Sequence, residues 1–483
     1  MLKHTVTGPT RREMFLLALL LVSLLWLSGA ERGVHNARSS LGLLEEEVSE
    51  SEDTIDEDIP SNDAERWRTP VSWVSRRVPT SKIVAHVPGW TIFENLFVLN
   101  GTVFVVTDEP DSIPERASMT STAVRINNGP LAVASRFPTD RELRVVTTDE
   151  ARELFGTSAE LIDGTTWIVN DPPQFITHYY HWSAELFFGF WRTYSSLDTS
   201  LSATGLSSLP ALRRIWFAHA DADHWRDYAL MNQWVLRSTF PSLSAEYSAD
   251  WQDRAEMGGV VMLDRVIFSD RAAAMRGENF VRTGRTASEA FGLPGSAHWW
   301  STVRNNVVKF SGVDEQVGAG TTDQAVITYI SRQDWGRRML KPQDHEKLVE
   351  ELYKLRDKYG YEVNVVSMDK LSRVEQIRLA ARTTIMMGVH GNGLTSLVWM
   401  QPSPRATVIE FFYPGGFAHD YEYTTRALGM VHYGMWGNRS FTSPDVPQVA
   451  YPEGFQGNEI PLDGAAVAGL CVDRLHMSDE ADD

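Results

Sequence analysis

The sequence predicts an α/β protein whose second half is a doubly wound sheet, and three observations lead there. From residue 325 to residue 435, apolar runs of strand length alternate with amphipathic runs of helix length. The composition is that of an ordinary globular chain, with 43% hydrophobic and 22% charged residues. A single cysteine, Cys471, rules out a disulfide scaffold. The length, 483 residues, exceeds the roughly 100–200 residues of one domain, so two domains, or one large one with attachments, are expected.

In the first half, strands are expected at 96–107, 166–170, 214–218 and 260–268. Two aromatic segments, 179–194 and 224–240, have helical spacing. Their alternation implies a mainly parallel sheet covered on both faces. The polar stretch 315–322 holds two glycines and marks the boundary. Beyond it come strand 325–331, helix 343–359 ended by Gly360, strand 362–367, helix 372–382, strand 384–389, helix 391–399, strand 406–412, helix 421–428 and strand 430–435. Right-handed crossovers turn that order into a doubly wound sheet.

The expected organisation is a cytoplasmic tail at 1–13, a signal anchor at 14–30, an acidic stem at 31–66, a first lobe at 71–314, a second lobe at 323–475 and an acidic tail at 476–483. Residues 14–30 are apolar, with Lys3, His4, Arg11 and Arg12 before them and Glu31 after. Seventeen helical residues span about 25 Å, close to the roughly 27 Å hydrocarbon layer of an early secretory membrane. Ser28-Gly29-Ala30 also suits a signal peptidase, so anchor and cleaved peptide both stand. Either places the body in the secretory lumen, and the sequons at Asn100 and Asn438 agree. The expected location is a Golgi or endoplasmic reticulum membrane, single-pass type II, with the membrane contacted through the N-terminal helix. Residues 41–65 carry eleven acids and no Lys or Arg, which reads as a solvated, self-repelling stem. A net charge of −18 leaves no footprint for nucleic acid as a partner.

In an open α/β sheet, ligands bind beyond the carboxyl ends of the strands. There the sequence puts Gly388-Val389-His390-Gly391-Asn392-Gly393-Leu394-Thr395-Ser396, between a buried strand and a helix. Glycines let the backbone approach a ligand, and the first N–H groups of a helix are unpaired and partly positive. That suits a diphosphate; the alternative is a tight turn whose glycines serve packing. The spacing fits neither a Walker A loop nor a full GxGxxG. Arg332, at the end of the first strand of this lobe, and Arg337-Arg338 add guanidinium forks for phosphate. Glu410, an acid inside the apolar run VIEFF, needs a partner: a ribose diol, or a structural hydrogen bond.

The residues Tyr329-Ile330-Ser331-Arg332, Glu375-Gln376-Ile377, the block Gly388–Thr395 and Val408-Ile409-Glu410, taken in order, resemble the catalytic domain of glycosyltransferase family 61. So does His178-Tyr179-Tyr180-His181-Trp182 with Glu185. The likeness covers about residues 165–436. The resemblance implies a GT-B fold of two Rossmann-like lobes with a cleft between them. It also implies an inverting transfer of xylose, arabinose or N-acetylglucosamine from a UDP-sugar to a glycan or glycoprotein acceptor. Two positions depart from the family, which commonly has Ala where Asn392 stands and Asn where Ser396 stands.

On that resemblance the donor is held by Arg332, Arg338, His390, Gly391, Asn392, Gly393, Leu394 and Thr395, with Glu410 on the ribose and the amides after Ser367 on the uracil. An inverting transfer needs a base for the acceptor hydroxyl. His181 and Glu185, i,i+4 on the expected helix with His178 one turn earlier, are the candidates, one as base and the other orienting it. No cofactor or metal is expected beyond the UDP-sugar. Two rivals remain: a metal-dependent GT-A type transferase using Asp221 and Asp223, whose alternative role is a helix cap, and a non-catalytic lumenal glycan-binding protein. Trp182, Trp191, Trp299, Trp300 and Trp399 are core residues or stacking faces for sugars.

Overall fold

The structure is a computed structural model that describes residues 70–313 and 325–477. The expected tail, anchor and stem, the boundary at 315–322 and the acids of 478–483 lie outside the described residues. Among the described residues no helix is long and apolar enough to cross a membrane.

The described residues belong to one compact unit built on two sheets. The first sheet has nine strands: β1 (Val71–Ser72), β2 (Lys82–Val87), β3 (Trp90–Leu99), β4 (Thr102–Val106), β5 (Leu143–Val146), β6 (Ser158–Val169), β7 (Leu212–Phe217), β8 (Ser244–Glu246) and β9 (Val261–Ser269). Its main path runs β5-β4-β3-β9-β6-β7-β8. It is mixed, a correction to the mainly parallel sheet expected of a Rossmann-like lobe. The β9-β6-β7-β8 half is parallel, whereas β3 is antiparallel to β2, β4 and β9. The single strand expected at 96–107 is a hairpin, because Asn100 (φ 51°) and Gly101 (φ 76°) form a two-residue turn with both centres left-handed.

The second sheet follows the expected order closely. Its strands are β10 (Val326–Ile330), β11 (Glu362–Val366), β12 (Ile385–Val389), β13 (Thr407–Phe411), β14 (Val431–Trp436) and β15 (Arg439–Phe441), arranged β11-β10-β12-β13-β14-β15. All pairs are parallel except the terminal β14-β15 hairpin. The chain therefore reverses its direction of winding between β10 and β12, the switch point at which such sheets bind ligands. Ser372 caps the helix Arg373–Arg382 in a reciprocal box with Glu375, and Gly360 (φ 76°) ends Pro342–Tyr359.

Alternate residues of these strands serve two cores. Ile327, Tyr329, Ile385, Met387, Ile409 and Phe411 pack with Leu348, Leu352, Val467 and Cys471 of the helices Pro342–Tyr359 and Gly464–Leu475. Ile330, Met386 and Val408 face the other way, into a cluster that also holds Trp90, Trp167, Trp182, Phe187, Trp300 and Trp399. One apolar core thus runs through both lobes.

Three helices differ from expectation in ways that matter for the site. Segment 179–194 opens with a π-helical turn, His181–Leu186, before the α-helix Phe187–Tyr194. Segment 391–399 is a 3₁₀ helix, Asn392–Trp399, rather than an α-helix. Segment 224–240 is helical only at Asn232–Thr239, because Leu230 turns left-handed (φ 55°) and Asp227 Oδ1 accepts from Met231 N and Asn232 N.

Candidate active site

A cavity of about 880 Å³ opens at the switch point of the second sheet, and the first lobe closes its other side. Its walls include Arg332, Arg337, Arg338, His390, Asn392 and Gly393 from the second lobe and His178, Tyr180 and His181 from the first. Two groups separated by more than 150 residues in the sequence therefore meet.

The second-lobe wall is cationic. Arg332 follows β10, and its guanidinium lies so close to Gly391 that a Cβ there would stand 2.7 Å from its Nη1. Burial pushes Arg332 down to about 10, and the neighbouring Arg338 adds to the effect. Arg338, held left-handed at φ 52°, donates from Nε to Gln456 Oε1 (2.7 Å) and is lowered first by burial. Among the described residues neither arginine pairs with a carboxylate, and Arg332 Nε is buried with no partner. Two guanidiniums crowded together with no described carboxylate on either have the chemistry to receive an anion. The loop joining β12 to its 3₁₀ helix passes beside them, with its first N–H groups unpaired within the helix.

The first-lobe wall is an imidazole on a buried carboxylate. His181 Nδ1 lies 2.6 Å from Glu185 Oε2. Burial alone would raise Glu185, but Arg271 (2.6 Å), His181 and Arg285 outweigh it and hold the carboxyl well below its ordinary range. A carboxylate only accepts, so Nδ1 of His181 carries a proton and Nε2 is the ring nitrogen left clear of Glu185. Arg271 is fixed in turn by Asp171, at 3.1 Å from its Nε. Glu185 is 2% exposed and does not line the cavity, so of the expected pair His181 faces the site and Glu185 orients it. His178 lines the cavity too; burial, then His181, push it down to about 4, so its ring is neutral.

The remaining expected residues divide. Asn392 lines the cavity and joins the lobes, its Oδ1 accepting from Tyr180 N–H (3.1 Å) and from Thr395 Oγ1 (3.3 Å). Leu394 and Thr395 are buried beneath the loop and do not line the cavity. Glu410 does not reach a ribose held there, a correction to its expected role: it is 0% exposed, with His390 Nδ1 at 2.6 Å from one oxygen and His432 Nε2 at 2.9 Å from the other. Ser367, Met368 and Asp369 line the cavity at the expected uracil end. Asp221 and Asp223 do not line it; Asp221 accepts from the backbone of Asp223 and His224 and from the His224 ring, capping a turn where a helix was expected. Trp182, Trp191, Trp299, Trp300 and Trp399 are all core. Asn100 and Asn438 are exposed on hairpin turns.

Several lining residues carried no readable signal. Asp420, which pairs with Arg285 across the lobes (2.6 Å), starts a helix, where acids are common for dipole reasons alone. Trp335, 56% exposed, and Tyr228, 78% exposed, lie in turns with no periodicity to mark them.

The site thus sets a cationic wall on one side of the cavity against a carboxylate-held histidine on the other. The family model described as Glycosyltransferase 61 matches residues 179–409, from the histidine segment of the first lobe to β13 of the second, and assigns this part of the chain to glycosyltransferase family 61. With the family goes the class: a transferase with a sugar donor and an acceptor as substrates. No curated protein matches the chain.

Proposed function

We propose that the protein is an inverting glycosyltransferase of GT-B type that moves a sugar from a UDP-sugar to a hydroxyl of a glycan or glycoprotein acceptor in the secretory lumen. One observation carries the reading: Arg332 and Arg338, unpaired with any described carboxylate, share a cavity with the glycine loop of β12 while His181 faces it from the other lobe. The guanidiniums and loop amides would hold the diphosphate, and Ser367–Asp369 the uracil end. His181 Nε2 would take the acceptor proton as its oxygen attacks the anomeric carbon opposite the leaving diphosphate, a contribution of about 10²–10⁴-fold in rate. The guanidiniums supply positive charge at the diphosphate, which supports the metal-independent form of the reaction. The lumenal setting rests on the apolar segment 14–30 and on the two exposed sequons.

Turnover of a panel of UDP-sugars, with and without EDTA, tests this reading. Release of UDP in both conditions is expected. Activity abolished by EDTA would favour a metal-dependent transferase, and binding of glycan with no UDP release would favour an inert lectin. Arg338→Ala is expected to weaken UDP by about 1.5–3 kcal/mol, the worth of a charge-assisted contact, as read by calorimetry.

A further inference from the structure

The cavity holds two imidazole–carboxylate pairs, one from each lobe, and the proposed reaction so far uses one. His390 stands on the diphosphate loop directly after β12 and lines the cavity. Its Nδ1 is 2.6 Å from Glu410 Oε1, so Nε2 is the nitrogen left for the cavity. Glu410 is wholly buried on β13, with His432 Nε2 2.9 Å from its other oxygen. The sheet register explains the contact. Glu410 lies opposite Gly388 on β12 and Gly434 on β14, and the two histidines are the residues diagonal to it on the same face.

A buried carboxylate with both oxygens on imidazoles requires a matching positive charge close by. His432 is the poorer carrier. Its Nδ1 is buried with no partner, and a second N–H there would be an orphaned donor. His390 has the cavity on its Nε2 side, so of the two imidazoles it is the one placed to pass a proton to a group held there.

We infer that His390 is a second catalytic residue, the proton donor to the departing diphosphate, with Glu410 and His432 as the residues that position and charge it. This rests on the UDP-sugar reading above. The acceptor oxygen forms its bond to the anomeric carbon as its proton passes to His181 Nε2. The bond from the anomeric carbon to the β-phosphate oxygen breaks, and its electron pair stays on that oxygen. His390 Nε2 gives its proton to the same oxygen and becomes neutral. The enzyme ends with the proton on His181 instead of His390, and exchange with solvent resets it. The ring of His390 is faced by Glu410 on β13, His432 on β14, Asp420 and Tyr421 on the helix His419–Ala427, and Arg338, whose Nη1 donates to the His390 carbonyl at 3.5 Å. Arg332 lies beyond Gly391.

The test uses the full chain, the best UDP-sugar from the panel and UDP itself as the binding probe. His390→Asn is expected to lower kcat by about 10²-fold or more while UDP affinity by calorimetry stays within about threefold. The wild-type kcat should trace a bell against pH, its alkaline limb marking loss of the acid. Glu410→Gln, which keeps an acceptor for Nδ1–H but removes the charge, should move that limb to lower pH and leave the acidic limb in place. If His390→Asn does not fold, Glu410→Gln decides alone. His390→Asn with wild-type kcat, a wild-type profile without an alkaline limb, or a limb unmoved in Glu410→Gln would each overturn the inference and leave the UDP-sugar reading intact. Failure of the wild type to bind UDP would overturn both.

Discussion

Glu185 has no solvent to ionise into, yet Arg271 and Arg285 hold it charged, and its carboxylate fixes the tautomer of His181. Two consequences follow for Glu185→Gln. Catalysis should fall by about 10²-fold or more through kcat, with UDP affinity unchanged, because His181, the proposed proton acceptor, loses its orienting charge. Stability at neutral pH should fall by about 3 kcal/mol, since Arg271 is left buried with Asp171 alone. The depressed carboxyl contributes stability above the ordinary glutamate value of about 4.3 and loses it as pH falls through the folded value. The difference between wild type and variant in urea unfolding should therefore shrink below about pH 4.3; a constant difference would show that the charge of Glu185 is not what matters. His181 and Glu185 were legible in the sequence because i,i+4 spacing survives in the π-turn. Glu410 was legible as an anomaly, but its partners were not. His390 and His432 reach it through the register of three strands, which no local pattern encodes.

At the scale of elements, the second lobe was readable because each strand is a short apolar run and each helix carries its own stop or start, as Gly360 and the Ser372–Glu375 box do. The first lobe was not. Its β3–β4 hairpin and the antiparallel β9 beside β3 are set by tertiary pairing, and alternation alone reads them as parallel units. The helix Phe187–Tyr194, buried on every side, shows how tightly that lobe fixes the site. At Gly189 it presses on the fully buried Trp90, where an added Cβ would stand 2.2 Å from the ring. Gly189→Ala therefore displaces the helix that continues from His181. It should cost about 1–3 kcal/mol, read as a lower urea midpoint, and depress kcat more than a mutation of equal cost remote from the cavity. Equal losses of kcat would mean that the helix does not set the geometry of His181.

The molecule as a whole has its cavity between lobes that share one core. Trp300 Nε1 donates to the Val398 carbonyl, Trp299 Nε1 to the Ala427 carbonyl and Trp399 Nε1 to Tyr179 Oη, so indoles tie each lobe to the other. Asn392 and the Arg285–Asp420 pair add polar ties at the cavity itself. Separating the lobes would strip Ile330, Met386 and Trp399 from the same cluster that holds Trp90 and Trp167, at roughly 25 cal/mol per Å² of apolar surface exposed. Opening by rigid rotation is therefore costly, and the cavity is preformed rather than assembled by closure. The lobes should melt together: one calorimetric transition with equal calorimetric and van't Hoff enthalpies. UDP bound at the site of Arg332 and Arg338 should raise that single transition, by about 2.7 kcal/mol at a concentration of 100 times its Kd. Two transitions, with UDP shifting only one, would mean that the shared core does not couple the lobes and that the cleft works by hinged closure instead.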